Sequence, residues 1–394
     1  METSHKPLEL FHALPPPAPA PADAPPSTAF EGFSSILTRF DAGYFRISLS
    51  LCGQALLWRT LCGGGDEHVQ PRALGALARH LSPAASVLLW SLALLSLVAL
   101  TALYAARCLL RFAAVRAEFR HRVAVNYLFA PWASWLLLLQ SAPSSLLRPG
   151  AAPRRVLWCA FAAPVLALDV TVYGQWFTEG RTALSMAANP TGHITVVANL
   201  VTARAAAELG WREGAVAVFA VAVAHYAVLF VTLYQRLLGA NALPAMLRPV
   251  FFLFFAAPSM ASLAWGAISS SFDTACKMLF FLSLFLFASL VSRPTLFRRA
   301  MRRFSVAWWA FPFPLTVLAV ASVEYAREVE DHAAVVLVLV LSALSVVVTV
   351  AVVVCTVIRT SDLLPHGDDD PLACASSVMV PLDALTGSIV SSCV

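Results

Sequence analysis

Charge is what this sequence has least of. Only 12% of its 394 residues are Asp, Glu, Lys or Arg, about half the share found in soluble domains. Within the long apolar stretches acids almost vanish, leaving Asp169 inside one and Glu324 at the end of another. That scarcity argues against a proton- or sodium-coupled carrier, which uses titratable or oxygen-rich groups at mid-membrane. It argues equally against a cation pore lined by Asp or Glu rings. No P-loop, Gly-rich phosphate cradle or nucleophile elbow is present, and Ser, His and acid are nowhere grouped, so no catalysis is expected. The eight cysteines show no paired spacing and no Cys/His set has metal-ligand spacing; they read as free thiols, and no metal or cofactor is expected. No basic segment followed by an apolar core opens the chain, so no cleaved signal peptide is expected. A net charge of +5, with arginine placed beside apolar stretches, reads as membrane topology and not as nucleic-acid binding.

Apolar surface is what the chain has most of. Hydrophobic residues make up 59% of it and the mean hydropathy is +0.75, more than one soluble core could hide. Ten stretches long enough to cross a bilayer lie at roughly 44–62, 84–106, 123–141, 156–174, 184–205, 214–237, 244–265, 275–293, 304–324 and 333–358. Residues 1–32 form a Pro/Ala-rich tail expected to be disordered and cytoplasmic, 33–360 the ten-helix domain, and 361–394 a short polar cytoplasmic tail. Arginines cluster between spans two and three (Arg107, Arg111, Arg116, Arg120, Arg122) and between eight and nine (Arg293, Arg298, Arg299, Arg302, Arg303). The positive-inside rule puts both clusters and both termini in the cytoplasm. They are not spaced every third residue along an apolar helix, so strong voltage sensing is not expected.

Proline supplies the period. Pro131, Pro190, Pro258 and the pair Pro312 and Pro314 fall in spans three, five, seven and nine, about 60 residues apart, the repeat of a helical hairpin. Proline inside a helix removes a donor and bends it, which lipid does not tolerate unless protein or a wet cavity satisfies the freed carbonyls. The pattern predicts an all-α polytopic membrane protein of five hairpins, in which an inner ring of proline-kinked odd helices surrounds a central pore. Span one has Phe40-Asp41-Ala42-Gly43 in place of a proline, and Pro164 in span four is a second exception. Odd spans also carry the polar groups (Arg46, Gln54, Asn126, Asn189, Thr191, His193, Asn199, Thr316), whereas spans two, eight and ten are almost purely apolar. A weakly polar, uncharged lumen favours small anions without gripping them, and selectivity by dehydration favours nitrate over chloride.

Five segments carry a resemblance: 40–51, Arg122 to Trp132, Asn189-Pro-Thr-Gly-His193, Pro249 to Ser259, and Phe304 to Pro314. They cover all five odd spans, and the chain resembles the plant slow-type (S-type) anion channels, relatives of the bacterial tellurite-resistance/dicarboxylate-transporter proteins, with its start most like the short-tailed homologues. The resemblance implies a plasma-membrane channel for nitrate and chloride, three subunits side by side, and a phenylalanine plug just before the kink proline of span nine. Phe313 matches that plug and Phe129 matches a second pore aromatic in span three. Packing is the competing role for both rings. His193 reads as a hydrogen-bonded interior histidine, with a pore role as the alternative. Arg46 and Arg204 read as snorkelling to the interface, with anion attraction at a pore mouth as the alternative. Implied partners are small inorganic anions, membrane lipids, related subunits in a homotrimer or heterotrimer, and protein kinases. The long kinase-controlled segment of the guard-cell member has no counterpart here. Two other readings stay open: an electrically silent modulatory subunit of mixed trimers, and a secondary carrier for organic acids such as malate.

Overall fold

The computed structural model describes residues 36–62, 82–121, 123–148, 150–178, 189–238, 245–298, 301–302 and 304–360. Both tails lie outside these residues, as does most of the connection between the first two helices. Every described element is a helix: α1 (Arg46–Cys62), α2 (Pro83–Leu110), α3 (Phe112–Arg120), α4 (Ala124–Tyr127), α5 (Phe129–Gln140), α6 (Ala152–Thr178), α7 (Gly192–Glu208), α8 (Arg212–Leu238), α9 (Leu253–Ser269), α10 (Thr274–Val291), α11 (Pro312–Val329) and α12 (His332–Ile358). Short 3-10 segments precede α1 (Ala42–Phe45), α9 (Ala245–Phe252) and α11 (Val306–Ala310).

Among the described residues, seven helices are long and apolar enough to cross a membrane, and the bent pair Phe112–Arg120 and Ala124–Gln140 makes an eighth if counted as one span. α1 and α7 are only 17 residues each and fall just short of that length. Both sit largely inside protein: 10 of the 17 residues of α1 and 14 of the 17 of α7 are buried.

Burial separates two classes. The most apolar window of Val306–Val329 is 94% buried and that of Arg248–Ser269 is 78% buried, against 11% for Pro83–Leu110 and 22% for Thr274–Val291. The packing follows the same division. α1 packs on α5, α5 on α7, α7 on α9, α9 on α11, and α11 returns to α1. Each of these five also packs on the helix that follows it: α2, α6, α8, α10 and α12. The exposed faces of the second set carry Leu88, Leu95, Val170, Phe285, Val347 and similar side chains, as expected of surfaces that meet lipid.

One elbow lies off this arrangement. α3 is bent by 107° from the 124–140 helical segment that follows. Its buried face is Val115 and Glu118. The Glu118 carboxylate pairs with Arg107 of α2 at 2.5 Å and accepts from the Tyr104 hydroxyl at 3.0 Å. Arg107 in turn donates to the Leu37 carbonyl at 3.4 Å, tying the segment before α1 to the same knot. Burial pushes the Glu118 carboxyl up to about 7, against the opposing pull of Arg107.

Candidate functional site

The five helices of the contact cycle share a way of starting. Before α1, Asp41 is extended and its carboxylate accepts from the Gly43 amide at 2.8 Å, capping a 3-10 turn that hands over to the α-helix at Arg46. A Cβ on Gly43 would stand 2.8 Å from Asp41 Oδ1, so a larger residue here would displace the capping carboxylate. Asp41 thus does at span one what proline does in the others.

The prolines mark junctions more often than bends. Pro131 falls in the first turn of α5, Pro190 precedes α7, and Pro312 and Pro314 open α11. At a helix start the missing N–H is one that has no partner anyway, so proline is tolerated there. Pro258 differs, lying inside α9, as Pro164 does inside α6. Pro258 thus occupies the mid-helix position expected of it, whereas Pro131, Pro190 and Pro314 lie at helix starts, where the chain breaks and restarts.

Pro258 leaves the Phe254 carbonyl without its usual helical donor. The Tyr226 hydroxyl of α8 donates to that carbonyl at 3.2 Å. Tyr226→Phe should therefore lower thermal stability by about 0.6–2 kcal/mol, since an interhelical bond and a buried acceptor are lost together. Unfolding of the purified variant in detergent measures it, with Tyr173→Phe, a partly buried tyrosine of α6 whose hydroxyl donates to the Val221 carbonyl at 3.5 Å, as the comparison.

Polar groups on the inner helices are met from both sides. Gln54 of α1 donates through Nε2 toward Thr316 Oγ1 of α11 (2.9 Å) and toward Ser345 Oγ and Thr349 Oγ1 of α12 (both 2.8 Å). Asn126 Nδ2 donates to Thr191 Oγ1 at 3.0 Å, and the Thr195 hydroxyl donates to Asn126 Oδ1 at 3.3 Å. Asn199 of α7 donates to Asp169 of α6 at 2.9 Å. Ser259 of α9 meets Ser283 of α10. The isolated serines and threonines of the outer helices are thus buried partners, which the apolar reading of those spans missed. Buried His225 of α8 was missed as well. The available signal was their spacing: Ser342, Ser345 and Thr349 recur on one helical face.

Phe313 and Phe129 are both fully buried, at 1% and 0% exposure. Phe313 lies over Gly53 of α1, where an added Cβ would stand 3.2 Å from its Cδ2. Neighbouring rings interlock, as Phe252 does with Phe255, Phe297 and Phe311. Neither Phe313 nor Phe129 joins such a pair among the described residues. His193 is buried with Nδ1 3.1 Å from the Pro190 carbonyl, and its ring stands 5.0 Å from Phe254 and 5.8 Å from Tyr226. This places it in the seam between α7, α8 and α9. Arg46 donates to the Gly43 carbonyl at 2.8 Å and lies over the Tyr127 ring at 5.0 Å. It braces the start of α1 against α4.

The whole arrangement has known counterparts. The family described as SLAC1, voltage-dependent anion channel, matches residues 39–357. The S-type anion channel SLAH1 of Arabidopsis thaliana is 50% identical over 348 residues, covering 88% of this chain and 87% of that protein. SLAH4 of the same plant is 51% identical over 330 residues, covering 84% and 86%. Its guard cell S-type anion channel SLAC1 is 39% identical over 328 residues, covering 82% of this chain and 56% of that protein. A match through all five inner helices, at this identity and over this length, settles the affiliation: the chain belongs to the SLAC1 family of anion channels, membrane proteins and not enzymes.

Proposed function

We propose that this protein is a slow-type anion channel of the plasma membrane, passing nitrate and chloride downhill through a pore occluded by Phe313. The observation that carries the reading is the contact cycle α1–α5–α7–α9–α11, whose spans hold amides and hydroxyls along their length and carboxylates only toward helix ends, Glu208 in α7 and Glu324 and Glu328 in α11. Ten spans, counting the short α1 and α7, then form five hairpins with the cycle around the pore. The breaks at Asp41, Pro131, Pro190 and Pro314 support this, because irregular backbone at membrane depth needs protein or a wet cavity. Phe313, resting on a glycine with no stacking partner, fits a ring that swings aside. Phe129 is the second pore aromatic. Apolar outer faces leave room for lipid and for sister subunits in a trimer, and both termini face the cytoplasm.

Two-electrode recording of the protein expressed alone tests the reading. A reversal potential moving ~59 mV per tenfold change of external nitrate or chloride, and insensitive to pH, is the expected result. Cation-dependent reversal overturns anion selectivity, and a pH-dependent shift supports a coupled carrier. Silence alone, with altered current beside a conducting relative, assigns the chain to mixed trimers as a modulatory subunit.

A further inference from the structure

A group of arginines closes one end of the contact cycle. Arg59 occupies the last turn of α1, Arg204 the last turns of α7, and Arg154 the first turn of α6. Among the described residues a single carboxylate, Glu208, serves the group. Its Oε2 lies 3.3 Å from Arg154 Nη2 and its Oε1 3.2 Å from Arg204 Nε. Arg59 is half-buried and within electrostatic reach of all three. Three cations against one anion leave an excess of two positive charges among the described residues, with Arg154 almost wholly shielded from water.

The hydrogen bonding is incomplete in the same place. Arg154 is 6% exposed, and its Nη1 atom is buried with no hydrogen-bond partner. The Nη1 atom of Arg204 is in the same condition. A guanidinium is a rigid fork that cannot shed its proton, so idle buried donors on two of them call for an acceptor. Glu208 spends one oxygen on Arg154 and the other on Arg204. The neighbouring end of α5 brings Gln140 and Ser141, whose side chains donate to the Leu136, Val201 and Leu137 carbonyls; Gln140 Oε1 is itself a buried acceptor without a partner, but it carries no charge to balance the arginines. What the group lacks is one more anion.

We infer that Arg59, Arg154 and Arg204 form a binding site for a small monovalent inorganic anion, nitrate or chloride, at the end of the bundle where α1 and α7 finish. Nitrate presents planar oxygens that match the guanidinium fork, and chloride accepts from several N–H groups at once. The excess of two charges attracts the anion, while Glu208 holds the attraction below the point of trapping it, as passage requires. α1 and α7 both belong to the cycle that encloses the proposed pore, so the site stands at its mouth. Only this placement rests on the channel reading; the binding itself does not.

The test is therefore a binding measurement. The full chain is purified in lipid nanodiscs, and its thermal unfolding is followed as sodium gluconate is exchanged for sodium nitrate or chloride at fixed ionic strength. The wild type should gain several degrees with saturable dependence on nitrate or chloride, by mass action on the folded state. Arg59→Gln and Arg204→Gln should move the half-saturating concentration upward by tenfold or more. Arg116→Gln, on the exposed face of α3, should leave it unchanged. Arg204→Lys, which keeps the charge, serves where the glutamine variant does not fold. An equal gain with gluconate, or identical curves for wild type and both cluster variants, overturns the site. Anion-dependent stabilisation lost in the variants of a chain that passes no current upholds the site and removes the channel.

Discussion

Phe313→Ala should raise anion current about tenfold at unchanged surface expression. The number is modest in energetic terms: a barrier lowered by about 1.4 kcal/mol is enough. In the proposed pore the ring is the obstacle. It sits in the first turn of α11 between two prolines, is 1% exposed, and lies on the bare backbone of Gly53. A ring in that setting holds back anions without charge and without a hydrogen bond to break. The competing role gives a different signature. If Phe313 only packs, deleting it leaves a cavity worth about 3–5 kcal/mol, and the variant loses protein at the surface with no gain in current per channel. Current normalised to surface label separates the two. Phe129→Ala, at the start of α5, should raise current less, and the double variant should exceed either alone.

The second large effect concerns folding. Glu118→Ala should cost about 3–5 kcal/mol, because Arg107 is then left charged, buried and without its carboxylate. Arg107 is 4% exposed and Glu118 3%, so neither water nor salt screens the loss. The double variant Arg107→Met with Glu118→Met should recover most of it, since a buried ion pair repays little more than its own desolvation. Thermal unfolding of the single and double variants measures both effects.

Much of this architecture was legible in the sequence. Apolar length marked every long helix, and the estimate of 333–358 for the last span sits within a residue of His332–Ile358. Proline spacing picked out the buried helices, because both the break and the burial come from one cause: backbone that leaves the helical ladder must find partners inside protein. The Phe-Asp-Ala-Gly stretch stood out as an exception, but only the coordinates give its reason, an aspartate that caps the turn leading into α1. Hydropathy marked spans over α1 and α7 but overestimated their helical length, which is 17 residues each. The partners of their polar groups were the hardest to read. Ser345, Thr349 and Asp169 lie on helices otherwise devoted to lipid, and a lone hydroxyl in an apolar run gives no sign of which way it points.

The amide of Gln54 has a consequence for how the molecule is made. It belongs to the first described transmembrane helix, and its hydroxyl partners at Thr316, Ser345 and Thr349 belong to the last two. The nascent chain must therefore carry an unmet amide until α11 and α12 are inserted. Quality control that samples half-made membrane proteins would find in this one side chain a mark that fades on completion, and any truncation before α11 keeps it on display.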